Sequence, residues 1–222
     1  MTSVLLVDDH AVVREGYKRL LERSSDLRVA GEAATAAEAY RAFAECAPDV
    51  TVMDISLPDV SGIEALRRIL ARASDARVLM FSIHEEPIYA ERALSAGARG
   101  YLSKASAPEL LVDAIRAVVR GDIFVSPDVR VALEARSSSP PALEALSTRE
   151  FEIARLLVHG LSVREISERL CLTYKTVANY QTAIRQKLGA TTPARLVQIV
   201  NQSGLAQSRD ERLRIVKGAT PV

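Results

Sequence analysis

The chain has 222 residues, of which 48% are hydrophobic and 26% charged, with a formal net charge of +1. That is the composition of a globular chain long enough for two small domains. The first residues lack a basic region and a long apolar core, and no later run approaches the length of a membrane span, so a cytoplasmic protein without a membrane partner is expected. Cys46 and Cys171 stand far apart without Cys-x-x-Cys spacing. Neither a disulfide framework nor a zinc site is indicated, and both cysteines read as small buried apolar residues.

The near-zero net charge hides an asymmetry. Residues 1–125 carry 15 Lys and Arg against 19 Asp and Glu, whereas residues 147–205 carry 8 against 4. From Arg169 to Arg209 there are six basic residues and no acidic one, which fits a surface facing a polyanion.

Residues 1–121 alternate strand and helix five times with short connections, the pattern of a doubly wound α/β sheet. Strands are predicted over 4–8, 28–33, 50–53, 77–82 and 100–102, and helices starting near Ala11, Ala36, Gly62, Glu86 and Ala107. Three of these starts carry capping-box spacing: Thr35 with Glu38, Ser61 with Glu64, and Ser106 with Glu109. Right-handed crossovers and a flavodoxin-like order put a switch point between the first and third strands.

That topology gathers chemistry at one edge of the sheet. The run Val50 to Met53 is a short buried strand that ends at Asp54 and is followed by turn signals at Pro58, Asp59, Ser61 and Gly62. Asp8 and Asp9, at the exit of the first strand, would face Asp54. Three carboxylates in one crevice repel one another unless a cation is present, and an all-oxygen cluster suits Mg²⁺. Structural capping by Asp9 is the duller account. The fourth strand ends in the hydroxyl of Ser82 and the fifth in the amine of Lys104. Together these groups can perform phosphoryl transfer to a carboxylate. Asp54 is the nucleophile, Mg²⁺ and Lys104 neutralise charge on the transferring oxygens, and Ser82 donates a hydrogen bond to one of them.

Val7-Asp8-Asp9-His10, the stretch from Asp54 to Gly62, Phe81-Ser82 and the stretch from Gly97 to Lys104 resemble, in order, the receiver domains of two-component response regulators of the NarL/FixJ type. The resemblance implies that Asp54 accepts a phosphoryl group from a sensor histidine kinase. It implies that Asp8, Asp9, Asp54 and the backbone carbonyl of Ser56 hold the magnesium. Ser82 and Tyr101 would be the switch pair, Ser82 moving to the phosphate and Tyr101 following inward.

Residues 122–143 form a linker with a short helix over 128–135, and Ser137 to Pro141 reads as a flexible connection. Residues 144–204 are helical by pattern. Ser147 with Glu150 opens one helix, Ser162 with Glu165 a second, Thr173 caps a third that Gly189 stops, and a fourth begins near Pro193. This is a helix-turn-helix flanked by one helix on each side. In the third helix Val177, Ile184 and Leu188 share the core face. Lys175, Thr176, Ala178, Asn179, Gln181, Thr182, Arg185 and Lys187 are the candidates to meet double-stranded DNA, the cations at phosphates and the others at base edges.

The motifs Leu146 to Glu150, Gly160 to Ile166 and Lys175 to Gly189 resemble the LuxR-type DNA-binding domain. Two positions depart from that family, which often has Lys where Ala178 stands and His where Tyr180 stands. The base-reading positions carried over are therefore Ala178, Asn179 and Thr182. The fourth helix, with Leu196, Val197, Ile199 and Val200, has more apolar residues than one core face needs, so part of it is assigned to a homodimer contact, with Val200→Asp expected to spare the fold. Residues 205–222 are expected to be a flexible tail.

The reading is a regulator of transcription, not an enzyme, switched by phosphorylation of Asp54. One alternative is a phosphate-independent regulator of the same architecture. The other, an aspartyl-phosphate phosphatase of the haloacid-dehalogenase type, needs a second Asp where Ser56 stands.

Overall fold

The computed structural model describes residues 1–84, 86–134, 143 and 145–202. The expected connection over 137–141 and the tail over 205–222 lie outside the described residues. The chain divides into two compact units, Met1–Ser138 and Ser139–Val222. Among the described residues no helix is long and apolar enough to cross a membrane.

In the first unit the elements run β1 (Thr2–Val7), α1 (Ala11–Glu22), β2 (Leu27–Ala33), α2 (Ala36–Cys46), β3 (Val50–Met53), α3 (Gly62–Arg72), β4 (Val78–Ser82), α4 (Pro87–Ser95), β5 (Gly100–Ser103), α5 (Glu109–Arg120), β6 (Phe124–Val125) and α6 (Pro127–Glu134). The sheet order is β2-β1-β3-β4-β5-β6, with every pair parallel. β1 and β3 are direct neighbours, and Val7 lies opposite Met53, so Asp8 and Asp54 leave the sheet side by side.

Successive side chains of a strand point to opposite faces. Val4, Leu6, Val52, Leu79, Phe81 and Leu102 pack with Leu21 of α1 and with Leu111, Ile115 and Val118 of α5. The intervening Leu5, Met53, Met80 and Tyr101 are equally buried on the other face, the side of Ile63, Leu66 and Ile69 of α3. Both faces of the sheet are therefore dry, which is why its strands read as continuous apolar runs.

The sheet has six strands rather than the expected five. Two residues are too few to show a period of two, so β6 was invisible to pattern reading. Its docking is visible in backbone contacts: Tyr101 pairs with Val125, and Ser126 N donates to Tyr101 O at 3.0 Å. Gly100 makes room for it, since a Cβ there would stand 2.6 Å from Phe124 O. The short helix α6 then lies against α4 and β5, with Val129 buried.

The helix starts show where local motifs were overridden. At α2, Thr35 accepts from Glu38 N as expected, but the Glu38 carboxylate takes the amide of Ala34. At α3, Ser61 accepts from Ile63 N, while Glu64 pairs with Arg67 and Arg68. At α5 the predicted box does not form: Pro108 is the N-cap, the helix begins at Glu109, and the Ser106 hydroxyl donates to Asp128. Pro108 needs no amide partner, so the proline displaces the helix start by two residues.

The second unit contains α7 (Thr148–Val158), α8 (Val163–Arg169), α9 (Tyr174–Lys187) and α10 (Pro193–Gln202). Here both predicted capping boxes are complete, Ser147 with Glu150 and Ser162 with Glu165, and Thr173 caps α9 by accepting from Thr176 N. Phe151, Ile153, Leu156, Ile166, Val177, Ile184, Leu196 and Val200 make the core.

Two expectations are corrected. Cys46 is only half-buried and Cys171 is exposed. Cys171 occupies the turn between α8 and α9 with φ of 51°, so its place is set by the turn and not by packing. Val200 is fully buried, which removes it from any dimer surface, while Val197 is half-exposed. The variant Val200→Asp would therefore test folding, not association.

Candidate functional site

β1 and β3 carry Asp8, Asp9 and Asp54 to the carboxyl edge of the sheet, where ligands of open α/β folds bind. Asp54 is 3% exposed and Asp8 6%. Ligand atoms of Asp8, Asp9, His10 and Asp54 lie within 4.8 Å of one another. From the end of β5, Lys104 Nζ reaches both inner carboxylates, at 2.6 Å from Asp8 Oδ2 and 2.5 Å from Asp54 Oδ2. Burial pushes the Asp54 carboxyl up, and the Lys104 ammonium acts against it. Burial alone would lower the Lys104 ammonium, yet Asp54 and Asp8 together raise it above its ordinary value.

The loop after β3 is fixed at several points. Ser56 N donates to Asp54 Oδ1 at 3.2 Å, and Gly62 N donates to Ile55 O at 2.8 Å. Asp59 accepts from Ala36 N at 2.9 Å and Ala37 N at 3.0 Å, pinning the loop to the start of α2. Gly62 lets α3 begin against the phosphoacceptor candidate itself, because a Cβ at this position would stand 1.9 Å from Asp54 O.

Ser82 is fully buried, and its Oγ accepts from His84 N at 3.2 Å. Tyr101 is also fully buried, with its hydroxyl donating to His84 O at 2.6 Å rather than standing in water. Burial raises the Tyr101 hydroxyl well above its ordinary value and keeps it protonated, a hydrogen bond with Ser82 working in the opposite direction. His84 is the junction of this group: its Nε2 lies 2.9 Å from Ser56 Oγ, and its ring stacks on Tyr89 of α4 at 4.2 Å.

Sequence reasoning brought together Asp8, Asp9, Asp54, Ser56, Ser82, Tyr101 and Lys104. It did not single out His84 or Arg14, and it took Gly62 only for a turn signal. A lone histidine in a loop carries no pattern, and the reach of Arg14 to the carbonyl of Asp8 spans six residues without a motif.

In the second unit α9 leaves Lys175, Asn179 and Thr182 exposed and Thr176, Ala178 and Gln181 half-exposed. The remaining two candidates have intramolecular partners. Arg185 donates from Nη2 to Thr191 O at 2.7 Å, and Lys187 Nζ lies 2.6 Å from Glu150 Oε2, joining α9 to α7. Both bonds brace the helix on its own unit.

A parallel sheet with carboxylates and a lysine at its carboxyl edge, followed by a helix-turn-helix unit, defines a class of switchable DNA-binding protein. The comparisons agree with it. Residues 4–116 match the response regulator receiver domain, and residues 144–200 match the bacterial regulatory proteins of the luxR family. The chain belongs to the two-component response regulators of the NarL/FixJ type, DNA-binding regulators of transcription. It is similar to the response regulator UvrY of Escherichia coli K12, 36% identical over 212 residues that cover 94% of this chain and 97% of that one. Against the response regulator GacA of Pseudomonas aeruginosa the identity is 34%, over 94% of this chain and 99% of that one. A crystal structure of a LuxR-family two-component response regulator from Aurantimonas sp. SI85-9A1 is 46% identical with a TM-score of 0.59, covering 60% of this chain and 96% of that one.

Proposed function

We propose that Asp54 is the phosphoacceptor and that its phosphorylation by a sensor histidine kinase controls DNA binding. The observation that carries this reading is the Lys104 ammonium held between Asp8 and Asp54 in a nearly dry crevice. An Asp54 Oδ attacks the phosphorus of a phosphohistidine; the O–P bond forms, the P–N bond breaks, and the imidazole leaves with the bonding pair and takes up a proton. Lys104 stays with the phosphoryl oxygens, and the Ser82 hydroxyl leaves its bond with the His84 amide to donate to one of them.

The residues also fit a divalent cation. Asp9 Oδ1 is buried without a hydrogen-bond partner, and although His10 Nδ1 stands 2.7 Å away it forms none. An all-oxygen donor set of Asp8, Asp9, Asp54 and the Ser56 carbonyl suits Mg²⁺. When bound, Mg²⁺ supplies neutralisation of charge on the transferring oxygens.

Tyr101 and Ser82 act as the switch pair through their shared partner His84. In the DNA-binding unit Lys175 meets phosphate, while Ala178, Asn179 and Thr182 read base edges, with Thr176 beside them. Arg185 and Lys187 contribute charge near the backbone of the duplex while keeping their bracing bonds. The functional limits are 1–121 for the receiver, 122–143 for the linker and 144–204 for the DNA-binding domain. Phosphorylation favours a homodimer that spans two half-sites, with Val197 of α10 in the contact. Action on DNA and a kinase partner accord with a cytoplasmic location.

Intact mass after incubation with Mg²⁺ and acetyl phosphate tests the reading, run beside Asp54→Asn. Gain of one phosphoryl group by the parent and none by the variant is expected. Phosphorylation of the variant to the same extent would refute the assignment. The already inward Tyr101 favours one second reading, regulation without phosphate, for which neither protein gains mass and the parent binds its operator at full affinity.

A further inference from the structure

Arg14 lies on the first full turn of α1 after the acidic loop, with its side chain 18% exposed. Its Nη1 donates to the backbone carbonyl of Asp8 at 2.5 Å, and its Nε donates to Glu32 Oε2 at 3.1 Å. Lys18 Nζ holds the other oxygen of Glu32, at 2.7 Å. Glu32 belongs to β2, the strand beside β1, and is paired in register with Leu6. The guanidinium is thus itself anchored to the sheet.

What it grips is the peptide that joins Asp8 to Asp9. The same short segment has other restraints: Asp8 N donates to Ala33 O at 3.0 Å, His10 N donates to Asp8 Oδ1 at 2.8 Å, Lys104 Nζ holds Asp8 Oδ2 at 2.6 Å, and His10 Nδ1 lies 2.7 Å from Asp9 Oδ1. Most of these act on the amide and carboxylate of Asp8. The bond from Arg14 acts on the carbonyl of the peptide plane from which Asp9 departs. The direction of the Asp9 carboxylate follows from that plane.

We infer that Arg14 is a positioning residue for the cation site, orienting Asp9 through the Asp8 carbonyl. The inference rests on the proposed cation site of Asp8, Asp9 and Asp54. Groups that hold metal ligands in place, without touching the metal, set affinity through the ligand's orientation.

This role has a sign that charge alone does not. Arg14 is a cation close to a site for a cation, so electrostatics by itself predicts that its removal tightens binding. Positioning predicts the opposite. Lys18 supplies the control, since it carries the same charge to the same carboxylate and makes no bond with the Asp8 carbonyl.

The experiment is titration of the full chain with Mn²⁺, a cation of similar preference for oxygen, followed by the free-ion signal in electron paramagnetic resonance. For Arg14→Ala the dissociation constant is expected to rise roughly tenfold, the lower end of the effect of such supporting groups. Lys18→Ala should stay within about twofold of the parent, and Arg14→Lys should fall between, since one ammonium cannot serve both Asp8 O and Glu32 in the same way. Circular dichroism and thermal melts establish that each variant is folded. Should Arg14→Ala fail to fold, Glu32→Gln keeps the charge of Arg14 but weakens its anchor, and binding is expected to weaken severalfold. Equal or tighter binding by Arg14→Ala overturns the inference, as does an equal loss in Lys18→Ala. Absence of Mn²⁺ binding by the parent overturns the cation reading and this inference with it; binding by the parent unchanged in Arg14→Ala leaves the cation reading standing and removes only the role of Arg14.

Discussion

Gly62→Ala adds one methyl group at the start of α3, and the structure says where it must go. The new Cβ would stand 1.9 Å from Asp54 O, 2.9 Å from Asp54 C and 3.1 Å from Ile55 Cα, all of them backbone atoms. Ordinary contact begins at 3.4 Å, so the carbonyl of Asp54 or the helix must yield by about 1.5 Å. Neither gives easily, because Asp54 N is bonded to Val7 O at 2.9 Å and Gly62 N to Ile55 O at 2.8 Å. Overpacking of this kind costs about 3 kcal/mol at the upper end of its usual range. The helix preference of alanine offsets up to about 1 kcal/mol of that. A net loss of about 2 kcal/mol in a unit of this size lowers its melting temperature by roughly 7 °C. The larger effect falls on chemistry. A displacement of about 1 Å at a reacting group costs on the order of 100-fold in rate, so phosphorylation by acetyl phosphate, followed by intact mass, should slow by about that factor. Gly16→Ala is the control, since a Cβ there meets nothing within 4 Å. It should raise stability by about 1 kcal/mol and leave the rate unchanged. A Gly62→Ala protein with parental melting temperature and parental phosphorylation rate would refute the reasoning.

Three further outcomes are expected. Val200→Asp puts an unpaired carboxylate into the core of the second unit, a loss of several kcal/mol, and should abolish its helical signal, whereas Val197→Asp should keep circular dichroism intact and weaken operator binding roughly 100-fold in fluorescence anisotropy through loss of the dimer. Folded Val200→Asp protein with normal binding would contradict the placement of α10. Glu150 is subject to burial, which raises its carboxyl, but the Lys187 ammonium and the Ser147 cap outweigh it and hold the group below its ordinary 4.5. A depressed carboxyl stabilises the fold fully above its unfolded value and loses that contribution as pH falls through the folded one, so thermal melts of the parent should lose about 1 kcal/mol on acidification below pH 4.5, and Glu150→Gln should show neither that loss nor the stability at neutral pH. A variant with the same acid profile as the parent would remove Glu150 as the cause.

The two halves of the chain differ in how far local sequence foretold local structure. In the second unit Ser147 with Glu150 and Ser162 with Glu165 formed complete capping boxes, and Lys187 Nζ, 2.6 Å from Glu150 Oε2, adds to the first of them without breaking it. In the first unit the same spacing at Ser61 and Ser106 did not. Ser61 is buried beside the Asp54 loop and takes the amide of Ile63, while Ser106 turns to Asp128, some twenty residues on. At Ser106 a partner from another segment outbids a bond worth about 1 kcal/mol, while at Ser61 and Glu64 nearer groups of the same helix do so.

The sequence by itself determined the βα alternation, the caps of the second unit, and the arrival of Asp8, Asp9, Asp54, Ser82 and Lys104 at one edge. These follow from hydrophobic period, turn residues and the handedness of crossovers, all of which are written within a few neighbouring positions. Only the tertiary structure decided that β6 closes the sheet beside Tyr101, that Val200 and not Val197 enters the core, that Arg185 and Lys187 brace α9, that Gly62 stands against Asp54 O, and that His84 and Arg14 meet Ser56 and the Asp8 carbonyl. Some of these depend on an atom supplied from a distant segment, as with Phe124 O above Gly100 and Glu150 against Lys187, and others on a neighbour six to eight residues away that no motif marks, as with Thr191 O for Arg185 and Asp54 O against Gly62. Periodicity specifies which face of an element is apolar, but contact between elements selects which of its residues are covered, and a hydrogen bond across the fold leaves no trace in spacing along the chain.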